Sequence, residues 1–311
     1  MRQAEITEVV ERTATLVDEH YVFPDVAARL ASLLTDHLAA GHYAAAEDPR
    51  ALGELVTADL QSVNNDLHLR LKHHDEPLAD RDRDPDDDRI IRLAASTMGG
   101  IGRVQLLAGN VGVLEIRPYL FPPQLAGDQM TAALRLLAGT DALLIDLREN
   151  VGGTPEMVAL LCGWLFDEPT LLHTMYDRAG DPVRQSWSAA YLPVPRYAPD
   201  KPVHVLTSRR TFSGGEELTY NLQQFGRATV VGERTGGGGH PRIGFRAHAH
   251  LEVTVPVARP VHPVTGTNWE GTGVTPDIEA PAAEALDVAH RAARARLDAV
   301  SSTAPLATAP R

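Results

Sequence analysis

Of the 311 residues only one is a cysteine, Cys162. No internal disulfide can form, so neither a disulfide-stapled fold nor an oxidising compartment is implied. Cys162 lies in the apolar run Leu160 to Phe166, where it reads as core filler, with a reactive thiol as the other reading. Basic residues are in deficit, with 29 Lys and Arg against 41 Asp and Glu, a net charge of −12. Unless a local patch overrides it, that field repels polyphosphates and excludes nucleic acid as an expected partner. Long apolar runs are missing too. The chain opens Met1-Arg2-Gln3-Ala4-Glu5, and no uninterrupted apolar stretch follows. Neither a secretory signal nor a membrane span is visible, and the chain reads as cytoplasmic with no membrane partner. No internal repeat is found.

What is present is a 43% hydrophobic composition, enough for one large core and a smaller one. Ile6, Val9, Val10, Thr13, Leu16 and Val17 recur at helical spacing, as do Val26, Leu30, Leu33, Leu34 and Leu38, and then Leu52, Leu55, Val56, Leu60 and Val63. They predict three amphipathic helices ending at Asn64 and Asn65, within a helical domain over 1–75. A charge-dense linker with Pro77 and Pro85 follows over 76–89, read as a solvated connector with gating as the alternative. Over 90–300 the pattern alternates in the α/β manner. Val111 to Ile116, Ala142 to Ile145, Val203 to Leu206 and Ala228 to Val231 read as strands. Leu125 to Leu137, a segment capped by Thr154 with Pro155 and Glu156, and Glu216 to Phe225 read as helices. Antiparallel strands follow in Phe245 to Val255 and near Val261, then a closing helix from Ala282 to Val300 and a disordered tail over 301–311. The fold class is α/β (α+β), a helical domain followed by a mixed-sheet core.

Two glycine turns stand at strand ends. In Thr207-Ser208-Arg209-Arg210-Thr211-Phe212-Ser213-Gly214-Gly215-Glu216, a serine sits between a strand and a helix. There its hydroxyl is exposed and the amides of Gly214 and Gly215 lie unpaired at a positive helix end, placed to stabilise an oxyanion. The competing reading is a helix cap. In Asp146-Leu147-Arg148-Glu149-Asn150-Val151-Gly152-Gly153 the backbone supplies either a second oxyanion donor or a purely structural turn, with Arg148 pairing a carboxylate to hold it. A serine hydroxyl needs a base within hydrogen-bond reach. Among 13 histidines, His68 in Asp66-Leu67-His68-Leu69-Arg70 stands out by its place after the helices, and Glu270 beside Trp269 is a carboxylate able to orient an imidazole. Each also has a bland reading, a structural histidine and a solvated loop glutamate.

Taken together, these pieces resemble the tail-specific (C-terminal processing) serine peptidase superfamily, family S41, in its branch similar to interphotoreceptor retinoid-binding protein and the tricorn protease core. The similar segments are His20-Tyr21-Val22-Phe23-Pro24, Asp66 to Arg70, Asp146 to Gly153, Ser208 to Glu217, Val231 to Pro241 and Glu270 to Ile278, in the family's order and spanning nearly the whole chain. The resemblance implies a core of the crotonase-like, tail-specific protease type. It makes Ser213 the nucleophile, with an oxyanion hole from Gly214 and from Gly152 or Gly153. Gly236 to Gly239 stand where one branch carries its catalytic lysine. This favours the histidine-dependent arrangement, with His68 as base and Glu270 as supporting carboxylate. Leu67 stands where tricorn members have a serine, and the peptide-gripping PDZ domain of many relatives has no room in this chain. Glu216, Gly238 and His240 are expected to line the cleft, the glycine run as a mobile loop.

The expected substrate is a peptide or a small acyl compound, with an ester, thioester or natural-product amide also open. A carrier of a retinoid-like or lipid ligand is the rival, and an assembly of identical copies is compatible with the sequence. No cofactor and no metal is called for. His248 and His250, alternating on an expected strand with His73 and His74 elsewhere, are read as surface histidines rather than zinc ligands.

Overall fold

The computed structural model describes residues 1–78 and 86–303. In chain order the first elements are α1 (Gln3–His20), α2 (Pro24–Ala39), α3 (Pro49–Gln61), β1 (Arg70–His73) and α4 (Asp86–Ser96). β2 (Ile101–Leu107), β3 (Val111–Ile116), α5 (Pro123–Leu137), β4 (Ala142–Asp146) and α6 (Pro155–Leu165) follow. Then come β5 (Leu171–Tyr176), β6 (Pro182–Trp187), β7 (Val203–Thr207), α7 (Gly214–Gln224) and β8 (Thr229–Gly232). The last are β9 (Arg242–His248), β10 (Leu251–Pro256), β11 (Arg259–Val261), β12 (Ile278–Glu279) and α8 (Ala285–Thr303).

The chain forms two compact units. The first joins Met1–Ile90 with His173–Ser186 and Gly237–Thr272, and the second joins Ile91–Leu172 with Trp187–Gly236 and Gly273–Arg311. Compactness therefore does not follow a single linear boundary such as 75 or 90.

In the first unit α1, α2 and α3 bury one stripe each, among them Val10 and Val17, Leu30 and Leu34, and Leu52, Val56 and Leu60. These pack with Leu71 of β1 and with Leu251, Val253 and Val255 of β10 in one core. Burying each such side chain is worth about 1.5–3 kcal/mol. α3 begins where Asp48 accepts the Ala51 N–H at 2.8 Å with Pro49 at the first helical position. Past its end, Asn65 takes φ +55, a left-handed geometry that asparagine tolerates. β1, β10 and β9 form an antiparallel sheet in that order.

The second unit holds a six-stranded sheet in the order β12-β8-β7-β4-β3-β2. β3, β4, β7, β8 and β12 run parallel, and β2 closes one edge antiparallel. β4 and β7 are buried throughout, as strands covered on both faces must be. Against Val113, Leu144, Leu206 and Val231 lie Ala285, Ala289 and Ala293 of α8, small residues recurring every four positions.

Several expectations need correction. Thr154 occupies the cap position of α6, but its buried hydroxyl makes no hydrogen bond. His248 closes β9 while His250 lies in the following turn, so the two do not share a strand. Residues 86–89 of the expected linker begin α4, while 79–85 lie outside the described residues. Residues 301–303 of the expected tail continue α8, and 304–311 lie outside the described residues. No described helix is long and apolar enough to cross a membrane.

Candidate active site

In the second unit, Ser213 follows the turn after β7 and immediately precedes α7. It is half-buried, with φ +50 and ψ −119, outside the wells open to L-residues. Such a conformation costs about 1–3 kcal/mol and persists only where its surroundings impose it. Here they do. The Ser213 N–H donates to Glu216 Oε2 at 2.9 Å, and Thr235 Oγ1 donates to Glu216 Oε1 at 2.5 Å while accepting the Val274 N–H at 2.7 Å. Glu216, expected to line the cleft, is thus a fully buried clamp on the Ser213 backbone.

The second glycine turn lies against the first. Gly152 and Gly153 have φ +133 and +145, which only glycine adopts freely. A Cβ on Gly152 would stand 3.1 Å from Ser213 Cβ, and one on Gly153 would stand 2.3 Å from the Leu120 carbonyl oxygen. A Cβ on Gly214 would come within 2.9 Å of Gly153 N, which puts these two stretches of backbone side by side. The Gly152 N–H is given to Asn150 Oδ1 at 3.0 Å. Buried Asn150 also donates from Nδ2 to the Ile116 carbonyl at 3.2 Å, and its own carbonyl accepts the Phe212 N–H at 3.2 Å, stitching one turn to the other. Thr211 Oγ1 adds a bond to the Leu147 carbonyl at 2.9 Å. Arg148 pairs with Asp146 through Nε–Oδ1 at 2.9 Å and Nη2–Oδ2 at 2.7 Å, holding the turn as its charge suggested.

In the first unit, His68 lies between α3 and β1 and is brought together with Glu270 and Asp66. One ligand-type atom from each of the three lies within 4.8 Å of the others. Asp66, fully buried, accepts the His68 backbone N–H at Oδ1 at 3.1 Å, and at Oδ2 the Tyr21 hydroxyl at 2.9 Å and His240 Nδ1 at 3.1 Å. Asn64 Nδ2 in turn donates to the Tyr21 oxygen at 2.6 Å. Glu270 Oε2 accepts the N–H groups of Gly239 at 2.5 Å and His240 at 3.0 Å, whereas Oε1 is buried and accepts nothing from the protein. Burial pushes the His68 pKa down to about 4, Asp66 opposes this, and Arg242, Arg70 and His240 reinforce it. Burial, and then the charge of Asp66, pushes the Glu270 carboxyl above its ordinary range.

His240 and Gly238 do not line an open loop. His240 is buried against Phe23, ring centroids 5.4 Å apart, and the Gly238 carbonyl accepts Trp269 Nε1 at 2.8 Å. Asp66, Tyr21 and Asn150 received no role from the sequence, although all three lie inside the segments quoted for the resemblance. For Asp66 the available signal was its place two residues before His68.

Two further clusters bear on metal binding. His37 Nδ1 and Tyr43 Oη both bond Asp59 Oδ2, at 2.8 and 2.5 Å, with His42 beside them. Near the β9–β10 turn, His74 Nε2 bonds Glu252 at 2.9 Å and His250 Nδ1 bonds the His74 carbonyl at 3.0 Å. In both, the side chains are engaged with protein partners.

The family profile described as peptidase family S41 matches residues 110–280, and that of the N-terminal domain of Peptidase_S41 in eukaryotic IRBP matches residues 2–99. The chain belongs to peptidase family S41. It is 32% identical over 146 residues to a carboxyl-terminal-processing protease of Picosynechococcus, covering 46% of this chain and 33% of that protein. To the chloroplastic carboxyl-terminal-processing peptidase 2 of Arabidopsis thaliana it is 30% identical over 164 residues, 51% of this chain and 30% of that one. The match thus spans about a third of either relative. The tricorn protease structure shares the fold over 96% of this chain and 37% of its own, with a TM-score of 0.61 at 14% identity.

Proposed function

We propose that this chain is a serine peptidase working through an acyl-enzyme at Ser213. The observation that carries the proposal is the Ser213 backbone, held in a disfavoured conformation at a helix N-terminus with the Gly152-Gly153 turn packed on it. Ser213 Oγ attacks the substrate carbonyl carbon while His68 takes its proton, and the oxygen gains negative charge in the tetrahedral intermediate. The Gly214 N–H, one of the unpaired donors of the first turn of α7, and the Gly153 N–H supply the oxyanion hole. The N–H of Gly152 serves Asn150 instead. Collapse breaks the acyl bond as the imidazolium protonates the leaving amine, and water then releases the acyl group by the same route.

Membership of family S41, whose matched relatives are carboxyl-terminal-processing peptidases, supports a peptide substrate. Burial leaves His68 neutral at neutral pH, the protonation state a base needs, while the same burial disfavours the imidazolium and so makes a supporting carboxylate necessary. Glu270 supports the imidazolium that forms. Fluorophosphonate labelling of the intact protein tests this reading. Labelling is expected at one site and is lost in Ser213→Ala. A wild-type chain that does not label, yet binds an apolar dye tightly, would instead be a carrier.

A further inference from the structure

The ring of His240 lies between the buried carboxylate of Asp66 and the half-buried one of Glu270. Its Nδ1 is 3.1 Å from Asp66 Oδ2 and 3.5 Å from Glu270 Oε2, while its backbone N–H donates to the same Glu270 oxygen at 3.0 Å. Asp66 and Glu270 repel one another when both are ionised, and burial weakens the solvent screening that would ease this. An ionised carboxylate only accepts hydrogen bonds, so the ring nitrogen facing Asp66 must carry the proton. We infer that His240 is a positioning residue of the reaction: its ring and backbone N–H groups hold Asp66 and Glu270 as a pair, keeping Glu270 ionised with Oε1 open toward the base. The inference rests on the assignment of His68 and Glu270 above.

The arrangement explains an otherwise wasteful feature. Glu270 Oε2 is held by two backbone donors while Oε1, equally buried, has no partner. A buried acceptor left open is destabilising unless a donor arrives, and the donor that suits it is the ring N–H of His68, a bond that strengthens when the base has taken a proton on its other nitrogen. The charged and titratable groups around the Asp66–Glu270 pair are His68, Tyr21, His240 and Arg70, with Arg242 acting on His68 and Arg70. Of these, His240 has a ring nitrogen within 3.5 Å of an oxygen of each carboxylate. Without its ring the repulsion between them is stronger, Glu270 ionises only at higher pH, and a neutral carboxyl gives the imidazolium little support.

The test is the rate of fluorophosphonate labelling from about pH 5 to about pH 9 for wild type, His240→Ala and His240→Asn. Asparagine places an amide N–H near the position of Nδ1. His240→Ala is expected to label about tenfold more slowly near pH 6 but within about twofold of wild type near pH 8.5, an acid limb moved up by about one unit. His240→Asn recovers most of the loss. A loss equal at all pH values, or an asparagine variant no better than alanine, overturns the inference. Carbon-13 NMR of the glutamate carboxyls, with Glu270 assigned through Glu270→Gln, reads the same effect without catalysis. The Glu270 titration moves upward in His240→Ala, and an unmoved midpoint overturns the inference even if Ser213 proves unreactive. Failure of wild type to label at Ser213 sinks the peptidase reading instead.

Discussion

The two units hold the residues of the proposed reaction by opposite means. In the second, the residues around Ser213 act through backbone: positive-φ glycines, a clamped N–H and the start of a helix, fixed by Asn150, Thr211, Glu216 and Thr235. In the first, the work falls to ionisable side chains, buried Asp66 and His240 and half-buried His68 and Glu270, with Tyr21 as donor. A backbone site has no room for added atoms and little dependence on pH. A side-chain site tolerates isosteres and responds to protons. Gly153→Ala probes the first property most severely, because its Cβ would lie 2.3 Å from Leu120 O and 2.4 Å from Leu120 Cβ at a φ of +145. Shifting this turn displaces the proposed oxyanion donor, so labelling at Ser213 should fall by about 10²–10³-fold. A loss below about tenfold, within the range of one modest contact, would show that the turn is merely structural.

Acid sharpens the contrast. His68, His173 and His262 of the first unit and His204 of the second are all pushed down to about 4, with burial the largest cause in each. Each binds a proton less readily folded than unfolded, so its contribution to stability is intact above the unfolded value near 6.5 and is lost as pH falls toward 4. With solvent screening allowed for, each is worth on the order of 1–2 kcal/mol over that window. With three of the four in one unit, hydrogen exchange between about pH 6.5 and about pH 4 should show protection lost first in the core of α1, α2, α3 and β10. Loss beginning around β4 and β7 would contradict this.

How far the sequence predicts the structure follows the same division. β3, β4 and β7 are legible because buried parallel strands are continuous apolar runs. β6, Pro-Val-Arg-Gln-Ser-Trp and almost wholly exposed, carries no periodic signal, and in β5 the buried His173 interrupts an apolar pattern. The turns bearing Ser213 and Gly152 announce themselves through local glycine chemistry. The acid cluster does not, since Asp66 meets Tyr21 45 residues before it and His240 174 residues after it. The glycine run fails as a mobile loop for a related reason: absence of side chains is also what close backbone packing requires. Gly236 N–H bonds the Thr211 carbonyl, the Gly237 carbonyl accepts from Gly271, and Gly239 N–H bonds Glu270.

Tyr21→Phe is a smaller perturbation. It removes one of the two side-chain donors on Asp66 Oδ2 and leaves Asn64 Nδ2 without that acceptor. The expected cost is about 1–3 kcal/mol in denaturant unfolding, the penalty of an incompletely satisfied buried group. A change under about 0.5 kcal/mol, typical of a surface substitution, would mean that Asp66 needs no help from the hydroxyl.

The smallest effect has the less intuitive sign. Because burial and Asp66 raise the Glu270 carboxyl, the folded state binds its proton more tightly than the unfolded state does. Its contribution to stability is therefore present below the unfolded value and lost as pH rises through the folded one, so at neutral pH ionised Glu270 is a cost. Glu270→Gln removes that charge while its amide oxygen can still accept from Gly239 and His240. It should stabilise the fold near pH 7, with the gain shrinking as acid protonates the wild-type carboxyl, even though labelling of Ser213 slows. A variant less stable than wild type near pH 7 would mean that the negative charge helps hold the first unit together, and the proposed trade of stability for a supported base would fail.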